Sequence, residues 1–288
     1  FQNAGKVRNT GWDLALGWQD EVGDFRYGIN MNVSDVKNEV VDLLGAGPFI
    51  SGNSIIQEGD PINALFGFQS DGYFQNQEDV DNAPTQFGAL APGDIRYTNQ
   101  LTVDTNGDGI PDQADEVINA DDRVIIGDPF PRMTYGLNLF AGFKGFDLTV
   151  FFQGVGQRDL LLRGDAVWAF QNAGKIQEWH LDYWTPDNPN ASHPRLVATT
   201  SHNNYETSDF WVWNAAYLRL RNLTFGYTFP QTVMDNIFVD NLRVYFSGQN
   251  LLTVDNMAPG WDPEIPNNTT GALYPITKVF TFGVDVTF

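Results

Sequence analysis

Phe280-Thr-Phe-Gly-Val-Asp-Val-Thr-Phe288, the last nine residues of the sequence, is the stretch that decides the fold. Its apolar residues occupy every second position: Phe280, Phe282, Val284, Val286 and Phe288. Such alternation is typical of a β-strand with one apolar and one polar face. A transmembrane β-barrel needs this pattern, because its outer face contacts lipid and its lumen is polar. The alternative is the last strand of a soluble β-sandwich, where an exposed apolar edge would invite pairing with other chains.

The same alternation recurs at six other places along the chain. The predicted strands contain Trp12–Trp18, Tyr27–Val33, Tyr135–Phe143, Phe146–Phe152, Leu223–Phe229 and Leu242–Phe246. We expect a hairpin connection at Val22–Phe25, a tight turn at Lys144-Gly145 and a β-bulge near Asn222, where the alternation slips by one residue. Aromatic residues bracket these faces, as in the interfacial girdles of barrels.

The connections between the predicted strands differ sharply in length. Three are long and polar: roughly Val36–Asp94, Gln157–Asn214 and Asn250–Thr277. Long loops at one end and tight turns at the other are typical of outer-membrane barrels. Within the second long connection, Lys175–Trp184 is compatible with a short helix that ends before Pro186.

Composition narrows the class of protein. In 288 residues there is no apolar run of eighteen, which excludes a transmembrane helix. The 36 acidic residues against 16 basic ones give a net charge of −20, which argues against nucleic acid or an anionic membrane surface as partner. The absence of cysteine excludes disulfides and thiolate metal sites.

The loop 104–115 has the ligand spacing of a calcium site. Oxygen donors would come from side chains at positions 1, 3, 5, 9 and 12 and from the backbone carbonyl at position 7. These residues are Asp104, Asn106, Asp108, Ile110 (by its carbonyl), Asp112 and Asp115. Aspartate replaces the usual bidentate glutamate at the last position, and Pro111 argues against a following helix. The alternative is an acidic, solvated turn.

No residue pattern predicts catalysis. His180, His193 and His202 lack a paired spacing, and no acid–base pair, serine elbow or phosphate loop can be identified. We therefore expect no enzyme. Aromatic residues crowd the long connections, where they could stack on substrate or pack the loops. The candidate substrate-binding residues are Trp168, Trp179, Trp184, Trp211 and Trp213.

A set of short motifs occurs in a fixed order. They are Gly93–Tyr97, Asp104–Gly109, Asp121–Asp128, Pro131–Gly136, Lys144–Leu148, Phe151–Gly154, Trp184–Pro189, Ala216–Asn222, Gly226–Pro230 and Ser247–Leu251, followed by the terminal aromatic strand. With this set the chain resembles the C-terminal barrel region of the SusC-like TonB-dependent outer-membrane transporters of Bacteroidetes.

The resemblance implies a fold and partners. Residues 1–288 would be the C-terminal portion of a 22-stranded antiparallel barrel, an all-β fold with long extracellular loops and about eight to ten wall strands. The plug domain and the TonB box would lie in a missing N-terminal region that contacts TonB–ExbB–ExbD. Implied partners are a SusD-like surface lipoprotein, outer-membrane lipid and the remainder of the barrel. The terminal Phe288 resembles a signal read during barrel assembly.

The predicted function is part of a nutrient importer for glycans or peptides in the outer membrane. Two alternatives remain: a calcium-stabilised envelope protein or adhesin domain that does not transport, and a secreted glycan hydrolase or lectin. The sequence does not distinguish glycan from peptide as substrate.

Overall fold

The computed structural model describes residues 5–199, 201–235, 239–267 and 273–288. Antiparallel β-strands dominate this part of the chain. The strands are β1 (Lys6–Val22), β2 (Phe25–Asp42), β3 (Phe49–Ser51), β4 (Ser54–Ile56), β5 (Ala64–Gly67), β6 (Ser70–Tyr73), β7 (Ile95–Tyr97), β8 (Val124–Gly127), β9 (Arg132–Phe143), β10 (Phe146–Gln157), β11 (Asp159–Leu161), β12 (Val212–Asn214), β13 (Tyr217–Thr228), β14 (Asn241–Asp255) and β15 (Val279–Thr287).

The helices are all short. Two are α-helical, α1 (Gln77–Asp81) and α2 (Gln231–Met234). Five are 3₁₀ turns: Ala120–Asp122, Gln171–Ala173, Glu178–Leu181, Asn203–Tyr205 and Asp209–Trp211. The turn at Glu178–Leu181 confirms the short helix predicted within Lys175–Trp184. In the described residues, none of these helices has the length and apolar character needed to cross a membrane.

Seven strands form one antiparallel sheet, called the wall below. Its strand order is β1-β2-β9-β10-β13-β14-β15, so β1 and β15 are edges and the described sheet is open. The predicted antiparallel wall is confirmed. The expected count of about eight to ten wall strands is wrong for the described residues, because the other strands pair in small separate sheets within the connections.

The two faces of the wall differ as the alternation predicts. Large apolar side chains are exposed on one face, called the outer face: Trp12, Leu14, Leu16, Trp18, Ile29, Phe143, Phe146, Phe225, Val244, Phe280, Phe282, Val284, Val286 and Phe288. Phe282 is 83% exposed and Val284 is 62% exposed. The opposite, inner face carries polar residues, among them Thr224 and Ser247, whose hydroxyls lie 3.3 Å apart. A soluble sheet would bury the apolar face; this one presents it to the surroundings, as a lipid-facing wall does.

Tight turns connect wall strands at one end. Gly23 has φ +63° in the β1–β2 hairpin, and Lys144 and Gly145 have φ +47° and +86° in the β9–β10 hairpin. Positive φ at the first central residue, as in β1–β2, or at both, as in β9–β10, matches the twist of the flanking strands, and glycine adopts it without steric cost. Both predicted hairpins are confirmed. The register of β13 slips between Leu220 and Asn222, which confirms the predicted bulge.

The long connections lie at the other end of the wall and contain the apolar core. The first connection runs from residue 43 to 131, later than the predicted bounds of Val36–Asp94, because β2 extends to Asp42 and the next wall strand begins at Arg132. It holds two small sheets, β3-β4-β5-β8 and β6-β7, and the second connection contributes the pair β11-β12. The main cluster of buried residues draws on three connections: Leu65, Leu160, Leu161, Leu162, Val167, Trp168, Trp211, Ala215, Met257 and Ala258. The molecule therefore buries its apolar side chains in a loop domain beside the wall, not between two sheets.

Candidate functional site

The loop domain is joined by hydrogen bonds between connections that are distant in sequence. The backbone N–H of Phe68 donates to the carbonyl of Thr207 at 2.8 Å, and that of Asp209 donates back to Phe68 at 3.0 Å. The carboxylate of Asp209 also accepts from the backbone and hydroxyl of Ser70. These bonds satisfy backbone groups that loop burial would otherwise leave unpaired. The first and second connections therefore form one packed unit.

A buried ion pair lies at the centre of this unit. Asp94 is fully buried and accepts two hydrogen bonds from Arg195, from Nε at 2.7 Å and from Nη2 at 2.9 Å. Asn204 Nδ2 donates to the same carboxylate at 3.0 Å, and the backbone N–H of Ala91 donates at 2.8 Å. A bidentate pair with further donors offsets the desolvation of both charges. Asp94 belongs to the motif Gly93–Tyr97, but nothing in the sequence indicates Arg195 as its partner.

Neighbouring buried amides extend this polar core. Asn203 Nδ2 donates to the carbonyl of Ile95 at 2.7 Å, and Gln86 Nε2 donates to it at 3.1 Å. The backbone N–H of Tyr97 donates to Gln86 Oε1 at 2.8 Å. Asn203 lies on the second connection and the other three residues on the first, so the network fixes how these two connections pack. Sequence reasoning missed these amides because a buried asparagine has no pattern that distinguishes it from a solvated one.

The five candidate tryptophans divide into two groups. Trp168, Trp184 and Trp211 are buried, with 6%, 6% and 3% of their surface exposed. Their rings pack within the loop domain, and only the edge of the pocket described below is reached by one of them, Trp211. Trp179 and Trp213 are half-buried and pack against each other edge to face at 6.0 Å. Substrate binding by these residues stays a prediction, and the structure limits the exposed rings to these two.

Trp179 and Trp213 border an open pocket of about 320 Å³. Its lining is completed by Ser192, His193, Phe210, Trp211 and Val212. No charged side chain lines this pocket among the described residues. A neutral, ring-lined pocket suits an uncharged ring or apolar group over an ion.

Two histidines predicted to lack a special role are both buried beside this pocket. Their rings lie 5.3 Å apart. His180 Nε2 donates to the carbonyl of Val167 at 2.7 Å, and its Nδ1 accepts from Gln177 at 2.8 Å. Burial lowers the pKa of His180, and burial with His180 nearby lowers the pKa of His193 to about 4. Both rings are therefore neutral at pH 7.

The loop domain should lose stability as the pH falls. The unfolded pKa of His193 is 6.5 and the folded one is about 4, so the unfolded chain binds the proton first between these values. The contribution of neutral His193 to the free energy of unfolding is complete above pH 6.5 and is lost as the pH falls towards 4. Denaturant unfolding of the full-length protein across this range measures the slope. His193→Gln should reduce the slope, with the remainder due to His180 and His202, whose pKa values burial also lowers. An unchanged slope in this variant would contradict the assignment.

The predicted calcium ligands are engaged by the loop's own backbone. Asp104 accepts hydrogen bonds from Gly107 at 2.7 Å and Gly109 at 2.8 Å, and these bonds lower the pKa of its carboxyl. Asn106 accepts from Asp108 at 2.9 Å. Asp108 accepts in turn from the next residue but one, Ile110, at 2.8 Å.

The last two predicted ligands also accept hydrogen bonds from the protein. Asp112 accepts from the backbone and hydroxyl of Thr105, which lower the pKa of its carboxyl. Asp115 accepts from Val117 at 3.0 Å, outside the loop. In the described part of the chain, no three His, Cys, Asp or Glu side chains are grouped to hold a metal ion. The oxygen donors suit Ca²⁺ in kind but are not gathered in this arrangement, so calcium binding stays a prediction.

An arginine on the inner face of the wall connects strands near the tight-turn end. Arg243 donates to Asp147 on β10 from Nε at 3.0 Å and Nη2 at 2.7 Å, and to Asp285 on β15 at 3.3 Å. It reaches Asp147 by crossing β13 over Gly226, where a Cβ would lie 2.6 Å from Arg243 Nη2. The glycine is therefore needed for this crossing.

Curated relatives match this chain over its whole length. TonB-dependent receptor P3 of Formosa agariphila is 29% identical over 312 residues, covering 100% of this chain and 29% of the receptor. TonB-dependent receptor P26 of the same organism is 27% identical and is covered to 30%. TonB-dependent receptor SusC of Bacteroides thetaiotaomicron is 22% identical and is covered to 27%. The chain thus spans less than a third of the length of these relatives. No family model matches it.

Solved structures show the same fold. The RagAB peptide importer in its open-open state superposes with a TM-score of 0.75 at 23% identity, covering 100% of this chain and 29% of that one. The closed-closed state gives 0.76 at 24% identity and a coverage of 30%. At such identity the likeness concerns the fold, which is that of an antiparallel transporter barrel, left open in the described residues. The resemblance of this chain to SusC-like TonB-dependent transporters is therefore confirmed over its whole length.

Proposed function

We propose that this chain forms part of the barrel wall and the mouth of a TonB-dependent outer-membrane importer of nutrients. The observation that carries the proposal is the open wall: one face is apolar and exposed along seven strands, while the other is polar. Such a sheet is stable where lipid covers the apolar face and further strands pair with β1 and β15. The relatives named above are receptors of this kind.

Transport is tested with the full-length protein in cells that produce it. Accumulation of labelled glycan and peptide pools is compared between the parent strain and a strain lacking the gene, with and without a protonophore. We expect one pool to accumulate only in the parent strain and only when the proton gradient is intact. Equal accumulation in both strains would favour the alternative of an envelope protein or adhesin that does not transport.

We further propose that a SusD-like lipoprotein covers the loop domain, which would then face the cell exterior. Support comes from apolar side chains that the loops leave exposed, including Leu44 at 64%, Ile50 at 55%, Leu101 at 59% and Ile110 at 69%. A solvated rim has no need of them, whereas a partner would bury them.

Affinity purification of the full-length protein followed by mass spectrometry tests the partner. Obligate interfaces bury on the order of 2,000–5,000 Å², so the pair should survive detergent extraction. Recovery of a lipoprotein in equal amount is the expected result. Replacing Ile50 and Leu101 with glutamate should release it, while Val233→Glu, at an exposed position of α2 between β13 and β14, should not affect its recovery. Purification without any lipoprotein would indicate a solitary receptor.

Calcium binding by the loop 104–115 is a separate proposal. Its six predicted donors are the hard oxygens that Ca²⁺ takes, and a cation would offset the repulsion between carboxylates. In the full-length protein, a chelator should accelerate hydrogen exchange in residues 101–117. Asp104→Asn combined with Asp108→Asn should abolish this response, while Asp81→Asn in α1 should leave it intact. Exchange that is insensitive to calcium in the parent protein would exclude the site.

A further inference from the structure

Three donors on strand β13 converge on one carboxylate. Tyr217 Oη donates to Glu264 Oε1 at 3.0 Å, and Arg221 Nη1 donates to Glu264 Oε2 at 2.9 Å. Arg219 Nη1 donates to the same Oε2. Tyr217 and Arg219 stand at alternate positions of β13 and so share a face of the wall, and Arg221, at the bulge, reaches the same carboxylate. Glu264 itself lies on the connection between β14 and β15.

This face is the inner one. Leu218, between the donors, is 41% exposed on the outer face, and its neighbour across the strand pair, Val254, is 60% exposed there. Arg219 points the other way and is only 1% exposed. Its Nε donates to Thr253 at 3.0 Å and its Nη2 to Asp262 at 2.5 Å. All three guanidinium nitrogens of Arg219 thus donate hydrogen bonds to partners on the inner face.

Glu264 belongs to a segment that packs against the wall and the main core. Residues Met257–Ile265, called the inner segment below, begin with Met257 and Ala258, which are 8% and 1% exposed in the main core. Arg158 holds the other end by donating to the carbonyls of Pro263 at 2.9 Å and Ile265 at 3.2 Å. The carboxylates of Asp262 and Glu264 therefore fix the segment to the wall, and Glu264 takes three of the four donors.

The charges identify what this wall site binds. Two guanidinium groups, one of them almost fully buried, face two carboxylates from the inner segment, so the site is neutral only while acids occupy it. Buried arginine requires such a partner, and the planar guanidinium with a phenol hydroxyl beside it matches the two oxygens of a carboxylate. A neutral ligand would leave the charge uncompensated.

We propose that Tyr217, Arg219 and Arg221 form a carboxylate-binding site on the inner face of the wall, and that Glu264 is its resident ligand. The site accepts a carboxylate from another molecule when Glu264 is removed from it. Occupancy by either acid keeps the inner segment on the wall. The site follows from the contacts of this chain and does not depend on the proposed transport function.

The test uses the full-length protein with a thiol reporter at Ala258→Cys. The sequence described here contains no cysteine, and Ala258 is buried at the start of the inner segment, so maleimide labelling reports the release of this segment. Labelling is quantified by mass spectrometry of the peptide that contains residue 258. Glu264→Ala should accelerate labelling roughly tenfold, because the segment then opens locally. Acetate should slow the labelling again in a saturable way, whereas acetamide, equal in shape but uncharged, should not.

Matched variants separate the site from a general loosening of the fold. Adding Arg219→Gln to Glu264→Ala should keep labelling fast and abolish the acetate effect. Arg243→Gln, which removes an inner-face arginine outside this site, should leave the labelling rate at the parent value. Val233→Cys, at an exposed position of α2, should label at the same rate in every variant.

Two outcomes would overturn the proposal. One is an unchanged labelling rate in Glu264→Ala; the other is an equal effect of acetate and acetamide. Where Glu264→Ala does not assemble, Glu264→Gln serves instead, because it keeps the shape and removes the charge. That variant should label at an intermediate rate, and a rate equal to the parent's would again refute the site. Uptake is not measured, so failure here is distinct from failure of the importer proposal.

Discussion

Replacing Val284 with arginine should destabilise the assembled wall by roughly 2–4 kcal/mol, the cost of a charged side chain at the midplane of a bilayer. Val284 lies midway along β15, opposite Val244 of β14, and its side chain is 62% exposed on the outer face. Lipid is the surrounding that makes this exposure favourable. The free energy of unfolding of the full-length protein in lipid vesicles, measured by denaturant titration, checks the expectation.

The neighbouring residue provides the control. Asp285 lies on the inner face, where its contact with Arg243 is 3.3 Å long and its side chain is 59% exposed. Arg243 keeps its shorter bonds to Asp147 when Asp285 is replaced. Asp285→Asn should therefore change stability by less than about 1 kcal/mol, as expected of an exposed pair. Similar losses at both positions would contradict the assignment of the two faces.

The second large effect is expected in the loop domain. Asp94→Ala should lower the free energy of opening of this domain by about 3 kcal/mol, because it leaves the partly buried guanidinium of Arg195 without its carboxylate. The substitution also deprives Asn204 and the backbone of Ala91 of their acceptor. Native-state hydrogen exchange of peptides covering residues 86–97 and 202–211 measures the loss.

A matched pair in the same connection shows what burial contributes. Asp71 and Arg96 also form an ion pair, with 2.6 Å between Oδ2 and Nη2, but their side chains are 63% and 40% exposed. Asp71→Ala should therefore cost no more than about 1 kcal/mol. Both variants remove one aspartate from one arginine, so equal effects on exchange would show that the buried network does not hold the connections together.

In the proposed importer, the loop domain would present its binding groups to a substrate in fixed positions. The loop domain combines an apolar core with a buried polar network, so its connections form a fixed structure at one end of the wall. Trp179 and Trp213 keep exposed ring surface on this structure, and the inner segment lines the wall beside it. A substrate entering at this end would meet positioned groups in place of mobile loops, which lowers the entropic cost of binding.

Much of the wall could be predicted because the order of apolar and polar residues within each strand indicates which face is apolar. In Trp12–Trp18 and Phe280–Phe288 every second residue partitions to the apolar side, and this pattern is local to the strand. The turn at Lys144-Gly145 and the bulge after Leu220 also follow from neighbouring residues. The number of wall strands could not be predicted from this pattern. The short strands of the connections have no local sequence feature that indicates whether they pair with the wall or with each other.

The candidate site was less predictable. Trp168 and Trp211 are core residues, while Trp179 and Trp213 keep exposed ring surface, yet nothing beside them in the sequence separates the two pairs. The calcium ligands are predicted from their spacing. Spacing does not determine whether the oxygens of Asp104 accept hydrogen bonds from backbone amides or coordinate a cation.

The sequence by itself determined the strands, their two faces, the tight turns and the resemblance to transporter barrels, since these depend on residues within one strand or one motif. Only the tertiary structure decided which charges meet. Asp94 and Arg195 are 101 residues apart, and Arg219 and Glu264 are 45 apart. A buried charge is stable only with a partner brought from elsewhere in the chain, and the identity of that partner depends on how the connections pack.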